Sequence, residues 1–229
     1  DKEHSEIVGA EALVRWIPDN QQIIPPDFFI PIFEKNGFIL KLDQFMWESV
    51  CMLLRKWIDQ GIKPIPISIN VSRTYLGKLN IVEYLKKLIT EYNIPIGLLQ
   101  IEITETAEND DTIQYANDFK KAGFTLMMDD FGSGLSSLSM LKNTPFDVLK
   151  MDRLFLDTCF ENKNGQTIVS HVISMSNDLG LDVIAEGVET KEQADFLYDH
   201  GCPVSQGYYF SKPVPVSEFE ALWNPPLHA

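Results

Sequence analysis

Basic residues are scarce in this chain: nineteen Lys and Arg stand against thirty-three Asp and Glu, a formal charge of −14. Such a surface repels duplex nucleic acid, whose binding is dominated by phosphate neutralisation, and excludes that class of partner. Cysteine is scarce too. Cys51, Cys159 and Cys202 are odd in number and far apart, so they offer no zinc spacing and suit a reducing compartment. His4, His171, His200 and His228 make no HxxxH or HExxH pattern. No apolar run approaches the ~18–20 residues of a membrane span, and no basic-then-apolar leader opens the sequence. Low-complexity tracts and linker-like breaks are also missing, which argues for a single domain over residues 1–229. Two nucleotide and nucleophile signatures fail as well. "GSGLSS" at 132–137 lacks the third glycine of a dinucleotide fingerprint, and Ser133 sits in the wrong register for a GxSxG elbow.

What is present is an alternation. β-Branched and apolar runs at 9–16, 65–72, 98–105, 124–131, 147–152, 181–189 and 204–211 read as strands. Between them, 81–91, 111–122, 165–179 and 190–200 read as helices, and "IIPPDFFIPIF" at 23–33 as a loop running into a short helix. Residues 38–60 form the longest helical stretch, with Leu42, Phe45, Met46, Val50, Leu53, Leu54 and Trp57 at helical spacing. Gly123, Gly180 and Gly201 each follow a helix, where a terminal glycine is expected. Strand–helix alternation with long crossovers predicts parallel pairing and an α/β fold. Seven strands in 229 residues suggest a (β/α) barrel more than an open doubly wound sheet. The methionines Met127, Met128, Met140 and Met151 read as core filling.

The strands carry an oddity. Glu11, Leu13 and Arg15 alternate in "GAEALVRW" and so share one face of a predicted strand. Asn70 closes "IPISIN", Glu102 lies in "QIEIT", Asp129 and Asp130 end "FTLMMDD", Lys150 and Asp152 lie in "LKMD", Glu186 ends "VIAE", and Gln206 lies early in "VSQGYYF". Only Arg15 and Lys150 offset Glu11, Glu102, Asp129, Asp130, Asp152 and Glu186 within these strands. Clustered carboxylates with so few cations raise one another's pKa and are costly to bury. Bound metal removes the problem. Carboxylates with one amide oxygen are hard donors, which favours Mg²⁺ or Mn²⁺, with Ca²⁺ an inhibitory mimic. In barrels of this kind the site lies at the C-terminal strand ends. An adjacent Asp pair suits two ions, the arrangement used in phosphate-ester hydrolysis.

These residues resemble the EAL domain, the bacterial module that hydrolyses cyclic di-GMP to linear pGpG. The resemblance rests on "EALVR" at 11–15, "NVS" at 70–72, "EITE" at 102–105, "DDFGSG" at 129–134, "KMD" at 150–152, "EGVE" at 186–189 and "QGYYFSKP" at 206–213. It implies a modified TIM-like (β/α)8 barrel and two Mg²⁺ or Mn²⁺ ions. Glu11, Asn70, Glu102 and Asp129 resemble the ligands of one ion, and Asp129, Asp130 and Glu186 those of the second. Lys150 and Glu186 are both candidates for the base, with Asp152 supporting the lysine. Glu105 resembles an anchor of the "DDFGSG" loop, and Arg15, Leu13 and Gln206 the contacts to the dinucleotide.

The chain departs from the family at Ser133, usually threonine, at Leu135, usually tyrosine, and at its start, where a helix and strand of the family are expected to be missing. Cyclic di-GMP is the expected partner, with a homodimer through the region after the "DDFGSG" loop and attached sensory or cyclase domains. The expected location is the cytoplasm, as a free protein or as the cytoplasmic portion of a membrane-anchored one. An inactive cyclic di-GMP receptor and an enolase-like barrel enzyme are the alternatives. The filled metal and lysine positions count against the first, and the "DDFGSG" loop against the second.

Overall fold

A computed structural model describes residues 6–19, 22–72, 74, 80–104, 110–132 and 137–223. Parallel strands covered on both faces favour apolar residues at consecutive positions, which Leu126–Met128 and Val148–Leu149 supply, whereas 67–70 and 99–104 alternate apolar and polar residues. The chain divides into two compact units, one formed by 8–148 and one by 149–223 with Glu6 and Ile7.

The first unit is built on strands β1 (Ala10–Glu11), β2 (Ile67–Asn70), β3 (Leu99–Thr104) and β4 (Thr125–Phe131), neighbours in that order and all parallel. Leu99, Ile101, Ile103, Leu126 and Met128 are wholly buried along β3 and β4. Helices α1 (Pro26–Asn36), α2 (Ile39–Asp59), α3 (Ile81–Glu91), α4 (Asp110–Ala122) and α5 (Ser137–Asn143) supply the crossovers. Each begins for a local reason where one is visible: α1 carries proline in its first turn, and the Asn80 side chain caps α3 by accepting from the Glu83 N–H at 3.2 Å.

The second unit takes in β5 (Val148–Met151) from Leu149 onward, together with β6 (Asp182–Ala185) and β7 (Val204–Ser205), β6 and β7 being parallel. Its helices are α6 (Arg153–Phe160), α7 (Lys163–Asp178), α8 (Lys191–Asp199) and α9 (Val216–Trp223). Thr190 and Gln193 form a reciprocal capping box at the start of α8. No described helix is long and apolar enough to cross a membrane.

Three expectations are corrected. The strand expected over 9–16 pairs with β2 only at Ala10 and Glu11, closing with Ala12 N–H to the Ser68 carbonyl at 3.0 Å. Beyond it Trp16 instead forms an antiparallel bridge with Ile24, so Leu13 and Arg15 do not lie in a strand. The strand expected over 204–211 is likewise two residues long, because the chain turns at Gly207. The buried stripe of α2 is also rotated from the one expected. Phe45 is 64% exposed, and the inward face runs through Asp43, Trp47, Val50, Cys51, Leu54 and Trp57.

The cysteines are free and buried. Burial pushes the thiols of Cys51 and Cys202 from an ordinary value of 9.0 up to about 12. Below pH 9 both the folded and unfolded chain keep these protons and pH is without effect through them. Between about 9 and 12 the unfolded chain releases protons that the folded chain retains, so stability falls across that window. The native protein is expected to resist a thiol reagent at pH 8 and to label fully in urea. Rapid native labelling at Cys51 or Cys202 would contradict this.

Candidate active site

The register of the first unit decides which side chains share a face. In parallel neighbours, residues in register point the same way, as do residues two apart along one strand. Glu11 pairs with Ser68, two residues before Asn70; Asn70 pairs with Glu102; Glu102 pairs with Met127, two residues before Asp129. Glu11, Asn70, Glu102 and Asp129 therefore project from one face, each at or near the C-terminal end of its strand. The Asn70 Nδ2 donates to Glu11 Oε1 at 3.3 Å, which joins the ends of β1 and β2 through side chains. Glu102 is 1% exposed and Asp129 7%.

Carboxylates so far from water are stable as anions only against positive charge or multiple donors. Three carboxylates and an amide oxygen on one face are a donor set that a hard divalent cation fits. Among the described residues, no three or more His, Cys, Asp or Glu side chains by themselves form a group that could hold a metal ion. What the strands supply is a shared face of oxygen donors that includes asparagine. Asp130, next in β4, adopts a left-handed backbone with φ 58°, a conformation that costs a non-glycine residue energy and concentrates at functional positions. Glu105 and residues 133–136, which carry the expected loop anchor, the departures at Ser133 and Leu135 and the start of the expected dimer contact, lie outside the described residues.

In the second unit, Lys150 lies in β5 with its side chain 3% exposed, and its Nζ stands 2.8 Å from Oε1 of Glu186, itself 17% exposed. The Glu186 N–H donates to the Met151 carbonyl at 3.0 Å, which aligns the strand end that carries the glutamate with the one that carries the lysine. Asp152 follows β5 directly and is the N-cap of the next helix. Its carboxylate caps α6, accepting from the N–H groups of Leu154 at 2.7 Å and Phe155 at 3.4 Å. The rest of "EGVE" is held by Arg153, whose Nη2 meets Glu189 Oε1 at 2.8 Å. Gly187 is required there: it has φ 67°, and a Cβ would stand 2.3 Å from the Arg153 Cγ. Gly207 is required in "QGYY" because a Cβ would come 2.2 Å from the Val188 carbonyl oxygen. Gln206 is half-buried, and its backbone zips Ala185 to Val188 through bonds of 2.7 and 3.0 Å.

Comparisons with known proteins identify the family and the fold. The EAL domain family model matches residues 1–213. The chain belongs to the EAL domain family. Among curated relatives of this EAL domain, the signaling protein YkoW of Bacillus subtilis is 34% identical over 218 residues, covering 94% of the chain and 27% of YkoW. The cyclic di-GMP phosphodiesterase NbdA of Pseudomonas aeruginosa is 35% identical over 218 residues, covering 94% of the chain and 28% of NbdA. The chain thus spans less than a third of the length of these two relatives. Among solved structures, that of the PaMucR phosphodiesterase in complex with c-di-GMP matches with a TM-score of 0.86 at 30% identity, covering 93% of this chain and 87% of that one. The α/β, barrel-type fold class expected from the sequence is thereby borne out.

Of the EAL site residues singled out in the sequence, the structure brings Glu11, Asn70, Glu102 and Asp129 to one face and sets Lys150 against Glu186. Arg15 is exposed, with its Nη1 donating to the Val14 carbonyl at 2.8 Å, and Leu13 is 39% exposed. Three residues that sequence reasoning missed touch these segments of the EAL domain: Asp43 accepts from the Ser72 N–H at 3.1 Å, the Trp47 indole donates to the Asn70 carbonyl at 3.0 Å, and Arg153 meets Glu189. The available signal for Asp43 was a carboxylate at position i−4 to a tryptophan on an otherwise apolar helix face.

Proposed function

We propose that the chain is a metal-dependent phosphodiesterase that hydrolyses cyclic di-GMP to linear pGpG. The observation that carries this reading is the shared face of Glu11, Asn70, Glu102 and Asp129, with Glu102 and Asp129 almost wholly buried. The names of NbdA and of the PaMucR complex support the substrate.

Glu11, Asn70, Glu102 and Asp129 would hold divalent metal, Mg²⁺ or Mn²⁺, with Asp130 extending the set. Two such ions, when bound, lower the pKa of an attacking water and steady the departing oxygen of a phosphodiester. The metals also reconcile a −14 chain with an anionic substrate by supplying local positive charge. Lys150 and Glu186 handle the proton. As an ammonium–carboxylate pair at 2.8 Å they can orient a water; Glu186 can accept its proton directly as the carboxylate, and Lys150 can accept it as a neutral amine after passing its own proton to Glu186. The Arg15 guanidinium matches the planar geometry of a phosphate, and Leu13 and Gln206 offer apolar and amide contacts to the dinucleotide. Asp152 acts through Lys150, by fixing the β5–α6 junction that follows it. The longer relatives support a place in a multidomain signalling protein, and buried free thiols suit the cytoplasm.

The test is incubation of the purified chain with cyclic di-GMP and Mg²⁺ or Mn²⁺, with products separated by chromatography. The expected result is pGpG, loss of turnover with a chelator, and no restoration by Ca²⁺. Binding without turnover would assign the chain to the receptors instead. Comparable turnover with Ca²⁺ would overturn the assignment of the metal.

A further inference from the structure

Two side chains of α2 hold the segment that carries Asn70. The Trp47 indole Nε1 donates to the Asn70 carbonyl at 3.0 Å, and the Ser72 N–H donates to Asp43 Oδ2 at 3.1 Å. Asp43 and Trp47 are one helical turn apart and share the inward face, 8% and 1% exposed. A third contact comes from α1, where the Ser72 hydroxyl donates to Glu34 Oε1 at 2.9 Å. On the opposite side the Val71 N–H donates to the Glu102 carbonyl at 3.1 Å. Residues 70–72 are therefore gripped between α2 and β3.

We infer that Asp43 and Trp47 are positioning residues that set the Asn70 amide for cation binding, an inference that rests on the metal-site reading above. Asparagine has only two side-chain torsions, so the place of its oxygen follows its backbone closely. A buried tryptophan needs a partner for its N–H, and this one finds the carbonyl of a candidate ligand residue. A carboxylate on the inward face of a helix is costly, and Asp43 is held there by an N–H two residues beyond the same ligand. Asp43 and Trp47 both bond to one short stretch of chain. That is the pattern of groups that orient metal ligands from behind.

The test reads Mn²⁺ binding to the full chain without substrate, from the EPR signal of the free ion, alongside urea denaturation. Trp47→Phe keeps an aromatic ring and deletes the donor. Asp43→Leu deletes the acceptor, and Asp43→Asn keeps an acceptor oxygen. The Mn²⁺ Kd is expected to rise about 10–100-fold in Trp47→Phe and Asp43→Leu, and to stay within about threefold of the parent in Asp43→Asn. Trp57→Phe alters another fully buried tryptophan of the same helix. It is expected to lower the urea midpoint while leaving Mn²⁺ affinity unchanged. Parental affinity in a folded Trp47→Phe, or equal weakening in Trp57→Phe, would overturn the inference. A parent chain that binds no Mn²⁺ would remove the metal-site reading itself, and the inference with it.

Discussion

Lys150→Met is expected to lower cyclic di-GMP turnover by about 10²–10⁴-fold, the range associated with loss of a positioned proton-handling group. The same change is expected to destabilise the fold by about 3–5 kcal/mol, because it takes the cation from a carboxylate held largely out of water. Both effects trace to one contact, the 2.8 Å approach of the lysine Nζ to Glu186 Oε1. They can be separated. Lys150→Met combined with Glu186→Gln removes the charge imbalance, so the double variant is expected to recover much of the lost stability and none of the activity. Urea denaturation of the two variants, with turnover measured on each, checks this. A Lys150→Met protein that hydrolyses at the parental rate would dismiss the lysine from the reaction. A double variant no more stable than the single one would show that the pair is not the source of the stability loss.

Glu11→Ala is the converse case, a large loss of activity with a small loss of stability. Glu11 closes β1, is half-buried, and accepts from the Asn70 Nδ2 at 3.3 Å. Loss of a metal ligand removes a share of the several kcal/mol that a bound ion contributes, so turnover is expected to fall more than about a hundredfold. The site lies at a strand end rather than in packed core, so stability should change by no more than about 1 kcal/mol. Unchanged hydrolysis by the folded variant would reject Glu11 as a ligand. A large drop in the unfolding midpoint would make its role structural.

Much of this was legible in the sequence because parallel strands and their polar ends leave a local signature. The runs 67–70 and 99–104 alternate, with isoleucine and leucine on one face and Ser68, Asn70, Gln100 and Glu102 on the other, and the polar pair Asn70 and Glu102 turns out to stand in register. Less was legible where the partner decides the outcome. How far β1 extends depends on where Ser68 stops accepting from it, which residues 9–16 do not encode by themselves. Helices α5, α6 and α9 are only seven or eight residues long, too short for a clear 3.6-residue period. Asp152 belonged to two patterns at once. It ends an apolar strand, which suggested a site, and it precedes "RLFL", which is the position of a helix cap. The rotated stripe of α2 had a similar cause. Phe45 matched the apolar spacing but faces outward, while Asp43 faces in because the segment at Ser72 supplies it with a donor.

The backbone at Asp130 pulls against heat resistance. Glycine would relax a φ of 58° without steric cost, and asparagine would tolerate it better than most residues, yet either would discard a negative charge. A directed-evolution screen that rewards survival of heating alone would drift toward those two residues at position 130. The survivors would be sturdier proteins and poorer enzymes.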